Sequence, residues 1–292
     1  MPRSSYTPTI AATAVLPLGF TFSQHSLNDF KDCPRRFYLK YVARQPWPLV
    51  EVSPLALDAL QYREDLQRGA RFHRWVERYW LGLPEPPHLG DETLARWWAR
   101  FTQTDFSDLP PVRLPEVELV AALGEHNLYA RFDLLALTPP EAAPMRAVIV
   151  DWKTLHHPEA LPFTFYKNRV QTRVYLYVLA TAGSAFTEGR PLEPAQCSLR
   201  YWLANHPDTP WVEITYSREE YERDRYQLGA LIDSILARQH EADFEMTADE
   251  RHCTYCTFRT LCQRAGDPSA PPPDEDEALL MPDLDTVPEL EY

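Results

Sequence analysis

The sequence predicts an α/β fold, a central mixed sheet flanked by helices, and three observations predict it. Helix-period patterns run to about residue 103, then give way at Glu116 to three successive strand patterns. One of these, Ala147-Val148-Ile149-Val150, is a continuous apolar run ending in Asp151-Trp152-Lys153, as expected of a strand buried on both faces. Helical and strand patterns then alternate to about residue 240.

The elements follow in order. Residues 1–20, rich in Ser, Thr, Ala and Pro, read as a flexible arm. Ser26 can cap a helix starting at Leu27, with Asp29 in its first turn. Cys33-Pro34 should break that helix, and Arg35 to Val42 should start another, ended by Pro46 and Pro48. Residues 54–82 read as helix, with Phe72, Val76 and Tyr79 as its apolar stripe and His73 and Glu77 one turn apart. An amphipathic helix over 91–103 precedes a boundary marked by Pro110, Pro111 and Pro115. Strands are expected at 116–123, 127–137 and 146–154, the first two a hairpin around Gly124-Glu125. A helix over 166–182 buries Val170, Val174, Tyr177 and Val178, with Gln171 and Tyr175 on a neighbouring face. Strands at 196–204 and 211–216 and a helix at 218–240 complete the folded part, 21–264. Residues 265–292 form an acidic, Pro-rich tail expected to be disordered.

Composition narrows the class. No apolar run approaches the roughly 20 residues of a membrane helix, and Met1 to Ser5 lacks the pattern of a signal peptide, so the expectation is a cytoplasmic protein without a membrane partner. The net charge of −13 argues at first against nucleic acid. Nine acids lie in the tail, however, and without them the chain carries −4, which leaves room for a local basic groove. Arg35, Arg36, Lys40 and Arg44 form one cationic cluster, and Lys167, Arg169 and Arg173 another; both are candidates for phosphate contact or for solvated helix faces.

Asp151 and Lys153 share one face of their strand, and Trp152 turns into the core. Asp133, the one acid in the preceding strand, is set to sit on a neighbouring strand. Two acids with a lysine beside one of them could hold a divalent cation and place an ammonium next to it, although a solvent-facing Asp/Lys pair fits the same residues. His73 alone reads more readily as structural than as a ligand. Cys253, Cys256 and Cys262 have two and then five residues between them and can converge on one metal centre. Cys33 is the candidate fourth ligand, whereas Cys197 sits in a strand pattern and reads as core. A Cys₄ set takes zinc or an iron–sulfur cluster; zinc ribbons use two CxxC pairs and this chain has one, which tilts towards [4Fe-4S].

Taken together and in this order, several segments resemble the PD-(D/E)XK nucleases of the RecB type. They are Ser26-Leu27 with Cys33 to Phe37, Gly69 to His73, Arg131-Phe132-Asp133, Asp151-Trp152-Lys153, Gln171 to Tyr175, and the three late cysteines. The likeness is strongest to the iron–sulfur members: the nuclease domain of the AddB recombination subunit and the CRISPR-associated RecB-like exonucleases. It covers about residues 22–264. It implies a restriction-endonuclease-like core. It implies that Asp133, Asp151, His73 and the Trp152 carbonyl bind Mg²⁺ or Mn²⁺, and that Lys153 orients the attacking water. Gln171 and Tyr175 would match a QxxxY element contacting DNA or supporting the site. Cys33, Cys253, Cys256 and Cys262 would hold a [4Fe-4S] cluster joining the N- and C-terminal segments. The second acid is Asp where Glu is commoner in the family.

The expected function is a metal-dependent DNA nuclease, an exonuclease on single-stranded or unwound ends in repair, recombination or CRISPR adaptation. With no GxxxxGK[ST] loop, a helicase would be a separate partner, as would CRISPR adaptation proteins. The alternatives are a non-catalytic nucleic-acid-binding scaffold that retains the fold, and a zinc-stabilised interaction module.

Overall fold

The computed structural model describes residues 16–45, 56–84, 90–139, 141–154, 161–208 and 210–266, without the side chains of 56–63. Most of the expected arm and tail, and the expected helix end at Pro46 and Pro48, lie outside the described residues. Two compact units emerge. One comprises the described parts of Met1–Phe20, Ser26–Val50 and Ala230–Ala270; the other comprises those of Thr21–His25 and Glu51–Gly229.

The larger unit is built on a six-stranded mixed sheet. β1 (Thr21–Ser23) is a short strand that hydropathy did not reveal. β2 (Val112–Leu123) and β3 (His126–Leu137) form the expected hairpin around Gly124, whose φ of 62° suits glycine. β4 (Ala147–Lys153) is buried along its whole length, as its continuous apolar run requires. β5 (Cys197–Leu203) and β6 (Trp211–Thr215) complete the order β1-β3-β4-β5-β6, with β2 on the other edge of β3. β1 runs parallel to β3 and β5 parallel to β4; the other neighbours are antiparallel.

This topology creates an opening. β2 pairs along one edge of β3, so β1 and β4 must share the other. β1 takes Asn127 to Tyr129, and β4 takes Leu134 to Leu137. Between them, residues 130–133 of β3 lie where β4 leaves the ladder, and Asp133 is the last residue before the pairing starts.

α3 (Ala56–Trp80) and α4 (Glu92–Gln103) cover one face of the sheet. Asp91 caps α4, accepting from the Leu94 N–H at 3.0 Å. The core on this face is aromatic: Phe72, Trp97, Trp98, Phe101, Trp152 and Trp202 are buried with Val148, Val150 and Leu134. Trp152 therefore turns into the core as expected, and the Trp202 indole finds a donor's partner in Thr104 Oγ1 at 3.2 Å.

The expected helix over 166–182 is two helices, α5 (Phe163–Asn168) and α6 (Val170–Ala182). Arg169 between them has extended backbone (φ −60°, ψ 143°), which ends one helix and starts the next. α6 is apolar nearly all round and buried on more than the predicted stripe, with Gln171, Thr172 and Tyr175 enclosed too. Cys197 is a core residue, its thiol pushed up to about 12 by burial.

α1 (Gln24–Asp32) begins two residues before the expected Ser26 cap, because β1 runs into it without a turn. Ser26 is a buried residue inside the helix, and the first turn holds no acid. In the smaller unit, Asp29 is a hub rather than a capping neighbour. It meets Arg36, Lys40 and the Tyr41 hydroxyl, each at 2.8 Å. Arg36 also pairs with Asp32, and Arg35 with Glu241. Three of the four cations in the first cluster are thus paired with acids of this unit. Cys33 is the extended N-cap of α2 (Pro34–Phe37), with Pro34 at the first helical position, so the predicted break stands. The chain continues as a π-helical turn over Tyr38–Val42. Phe37 is buried against Phe30, Tyr41 and Phe244.

Candidate active site

The site grows from the divergence of β3 and β4. The last pair of their ladder is Leu134–Val150, so Asp133 and Asp151 stand one residue beyond it on adjoining strands. Trp152 donates its backbone N–H to Asp133 Oδ2 at 2.9 Å. The other oxygen, Oδ1, lies 3.4 Å from His73 Nδ1, which α3 brings in from the helical layer. His73 is therefore at the acids, not a bystander of the helix surface.

Asp151 is met from both sides. Lys153 Nζ is 2.7 Å from its Oδ2, and the Gln171 amide donates to its Oδ1 at 2.9 Å. Asp151, Lys153 and Gln171 are all buried. The Tyr201 hydroxyl donates to Gln171 Oε1 at 3.2 Å, which orients the amide, and its oxygen lies 2.7 Å from Thr172 Oγ1. Tyr175 lies one turn further along α6, its ring edge-on to Phe132 and its hydroxyl accepting from Gln24 Nε2 at 3.2 Å. It joins the site's surroundings rather than the carboxylates.

Burial by itself would raise the Asp133 carboxyl. The His73 ring, the Trp152 N–H and the Lys153 ammonium outweigh that, and its pKa is lowered. Glu116 moves the other way. It lies on β2 between the pairs Pro115–Leu134 and Val117–Phe132, opposite Asp133, and its backbone takes a left-handed φ of 52°. Burial, then the charge of Asp133, raises its carboxyl, while Arg131 at 2.6 Å opposes the shift. Sequence reading passed over Glu116. The signal available was Pro115 beside the acid within a strand pattern, since a proline in a strand marks an edge or a bulge.

Among the described residues, no group of three or more His, Cys, Asp or Glu side chains is arranged to hold a metal ion. The four carboxylate oxygens of Asp133 and Asp151 are instead met by Lys153, Gln171, Trp152 and His73. The two carboxylates still fit a hard divalent cation, which prefers oxygen donors and can displace an ammonium, with the His73 imidazole as a softer neighbour. Trp152 meets the site through its N–H.

The thiols of Cys33, Cys253, Cys256 and Cys262 all belong to the smaller unit and are free. Burial pushes Cys256 up to about 11 and raises Cys253 and Cys262, and in each of the three the nearby Cys33 adds to the rise. Four thiols within electrostatic reach of one another suit a soft metal or cluster in donor type, although they are not gathered into a ligand set. Gly266 (φ 76°) closes this loop tightly: a Cβ there would lie 2.8 Å from Thr254 Cα.

The mixed sheet splits to present two acids, a lysine and a histidine, a charged and largely buried cluster on an α/β core. Residues 21–263 match the family model of the PD-(D/E)XK nuclease superfamily, and the chain belongs to that superfamily. No curated protein matches the chain. Among solved structures it is similar to a protein titled SSO0001, with 15% identity, 85% of this chain and 87% of that one covered, and a TM-score of 0.39. It is similar also to a candidate exonuclease from Eubacterium rectale, with 12% identity, 74% and 80% covered, and a TM-score of 0.44. Both scores lie below 0.5, so the family assignment rests on the family match.

Proposed function

We propose that the chain is a metal-dependent DNA nuclease whose centre is Asp133, Asp151, Lys153 and His73. The observation that carries this is the meeting of these four side chains at the β3–β4 divergence, inside a chain of this superfamily. Asp133, Asp151, His73 and the Trp152 carbonyl would hold Mg²⁺ or Mn²⁺. When bound, that cation supplies Lewis acidity towards a phosphodiester and lowers the pKa of a coordinated water.

The chain's own residues do the rest. The Trp152 N–H holds Asp133 Oδ2, so the carboxylate keeps one orientation. Gln171, set by Tyr201, holds Asp151 Oδ1 and leaves Oδ2 to Lys153 or a cation. Lys153, anchored at the strand end, places positive charge where a pentacovalent phosphorus gathers negative charge and orients the attacking water. Tyr175, packed on Phe132, steadies this wall. Exonucleolytic action on single-stranded or unwound ends is part of the proposal and rests on the resemblance. The cysteines of the smaller unit would hold a [4Fe-4S] cluster, with Cys33, Cys253, Cys256 and Cys262 as ligands.

A second reading, a scaffold that binds nucleic acid without cutting it, draws on the carboxylate oxygens being taken up by protein partners. One assay separates them. End-labelled single- and double-stranded DNA is incubated with Mn²⁺ and either wild type or Lys153→Ala, after anaerobic purification. The expected result is cleavage by wild type and a loss of about 10²–10³ in rate for the variant, with DNA binding retained. A folded wild type that cuts nothing leaves the scaffold reading standing, and a variant that cuts at the wild-type rate removes Lys153 from its role.

A further inference from the structure

α5 is the first described helix after β4, and it is moored to the proposed active site. Its Tyr166 is buried with its ring 5.3 Å from that of Tyr201, and the Tyr166 carbonyl accepts from Thr172 Oγ1 at 2.5 Å. Tyr201 in turn holds Gln171, which holds Asp151. Yet two phenylalanines on this short helix face water: Phe163 is 49% exposed and Phe165 38%.

Single exposed apolar side chains are ordinary. What distinguishes Phe165 is what accompanies it. Arg169, one turn on, places its guanidinium 5.7 Å from the Phe165 ring and 5.6 Å from the Tyr201 ring. Lys153 Nζ lies 5.4 Å from that same Tyr201 ring. Phe165, Arg169, Tyr201 and Lys153 thus form one continuous line of alternating ring and cation that ends at the proposed catalytic ammonium. Phe163 is two residues from Phe165, about 200° round the helix. Its cation, Lys167, is bound to Glu220 at 2.6 Å.

We infer that Phe165 and Arg169 form a subsite for an unpaired nucleotide next to the scissile phosphate, the ring stacking on a base and the guanidinium binding its phosphate. The inference rests on the nuclease reading and deepens it by naming the two side chains that would hold the unpaired strand. Interior bases of a duplex offer no free face to a ring, whereas every unpaired base does. A planar guanidinium can also stack and grip phosphate through two donors at once, which suits it to stand between a ring and a backbone.

The test is equilibrium binding by fluorescence anisotropy with the full chain in EDTA, so that nothing is cut. Three labelled probes are compared: a short oligothymidylate, a strand of equal length made of abasic sites, and a blunt duplex. Phe165→Leu, which keeps apolar bulk but removes the ring, should weaken oligothymidylate binding roughly 5- to 100-fold. Phe165→Trp should bind at least as tightly as wild type, and Phe163→Ala should match wild type. The wild type should prefer oligothymidylate to the abasic strand, and Phe165→Leu should lose that preference while binding the duplex unchanged. Equal unfolding midpoints confirm that the exposed substitution leaves the fold intact. If Phe165→Leu still discriminates against the abasic strand, or Phe163→Ala loses as much as Phe165→Leu, the subsite is overturned. Cleavage of the same oligonucleotide by wild type with Mn²⁺ is scored separately: its absence overturns the nuclease reading, whatever the ring dependence of binding.

Discussion

Asp133 and Glu116 face each other across a hairpin, and their environments drive them apart. Asp133 is held below the usual carboxylate range by His73, Trp152 and Lys153 against the pull of burial. Glu116 is held above it by burial and by Asp133. The consequences for stability have opposite signs. A depressed carboxyl contributes stability above its unfolded value and loses it as pH falls through the folded one. A raised carboxyl binds its proton more tightly when folded, so ionising it costs stability as pH rises from the unfolded value, near 4.5, through the folded one. Glu116→Gln should remove only the second effect. In the metal-free protein, the unfolding midpoint of this variant should gain on that of wild type as pH rises from about 4 to 7. Parallel curves would show that the Glu116 carboxyl is not raised in the folded protein.

At the scale of elements, the site depends on how closely α3 approaches β4. Gly69 is where the two meet: a Cβ there would lie 2.7 Å from Thr154 Oγ1, the residue after Lys153, and Thr154 is buried. His73 is one turn further along the same helix. Gly69→Ala should therefore displace α3 and loosen the His73–Asp133 contact. Cleavage should fall by about tenfold or more, since a misplacement near 1 Å can cost 10²-fold, while the protein stays folded. A rate equal to wild type would show that the helix can yield without moving His73. α4 acts from behind. Phe101 is fully buried against Trp98, Trp152, Trp202, Phe72 and Phe106. Phe101→Ala should cost about 3–5 kcal/mol, read by denaturant unfolding, because the rigid rings around it cannot collapse into the space.

At the scale of the whole molecule, acids and thiols lie in different units, so their failures should differ in kind. A thiol pushed up to about 11, as Cys256 is, stays protonated near neutral pH, and loading a metal there must displace the proton. If these thiols hold the proposed iron–sulfur cluster, iron uptake by the apoprotein should accordingly strengthen as pH rises. Cys253→Ala should lose iron and visible colour and lower the unfolding midpoint. Asp151→Asn should keep both and lose cleavage. Iron content, spectrum and midpoint measured on the two variants check this, and a Cys253→Ala protein as stable and as coloured as wild type would remove the cluster from the fold.

Much of this was legible from residue order. The apolar run into Asp151-Trp152-Lys153, the hairpin at Gly124 and the break at Cys33-Pro34 are local events, set by side-chain alternation and by proline and glycine stereochemistry, and they stand in the structure where the sequence puts them. Tertiary structure decided the rest, because it turns on contacts between residues far apart in the chain. β1 is three residues long and exists only by pairing with β3. Arg36 and Lys40 read as phosphate contacts or as solvated helix cations until Asp29 comes within 2.8 Å of each. His73 taken alone reads as an ordinary helix residue and only the family resemblance makes it a ligand; the packing of α3 is what brings it to Asp133. Glu116 carried no motif, and only the register of β2 on β3 sets it opposite Asp133. Sequence by itself determined which residues could do chemistry, since side-chain type and strand periodicity are written locally. Which of them meet was decided by the sheet order and by the point where β4 parts from β3, a property of the packed molecule that no single segment carries.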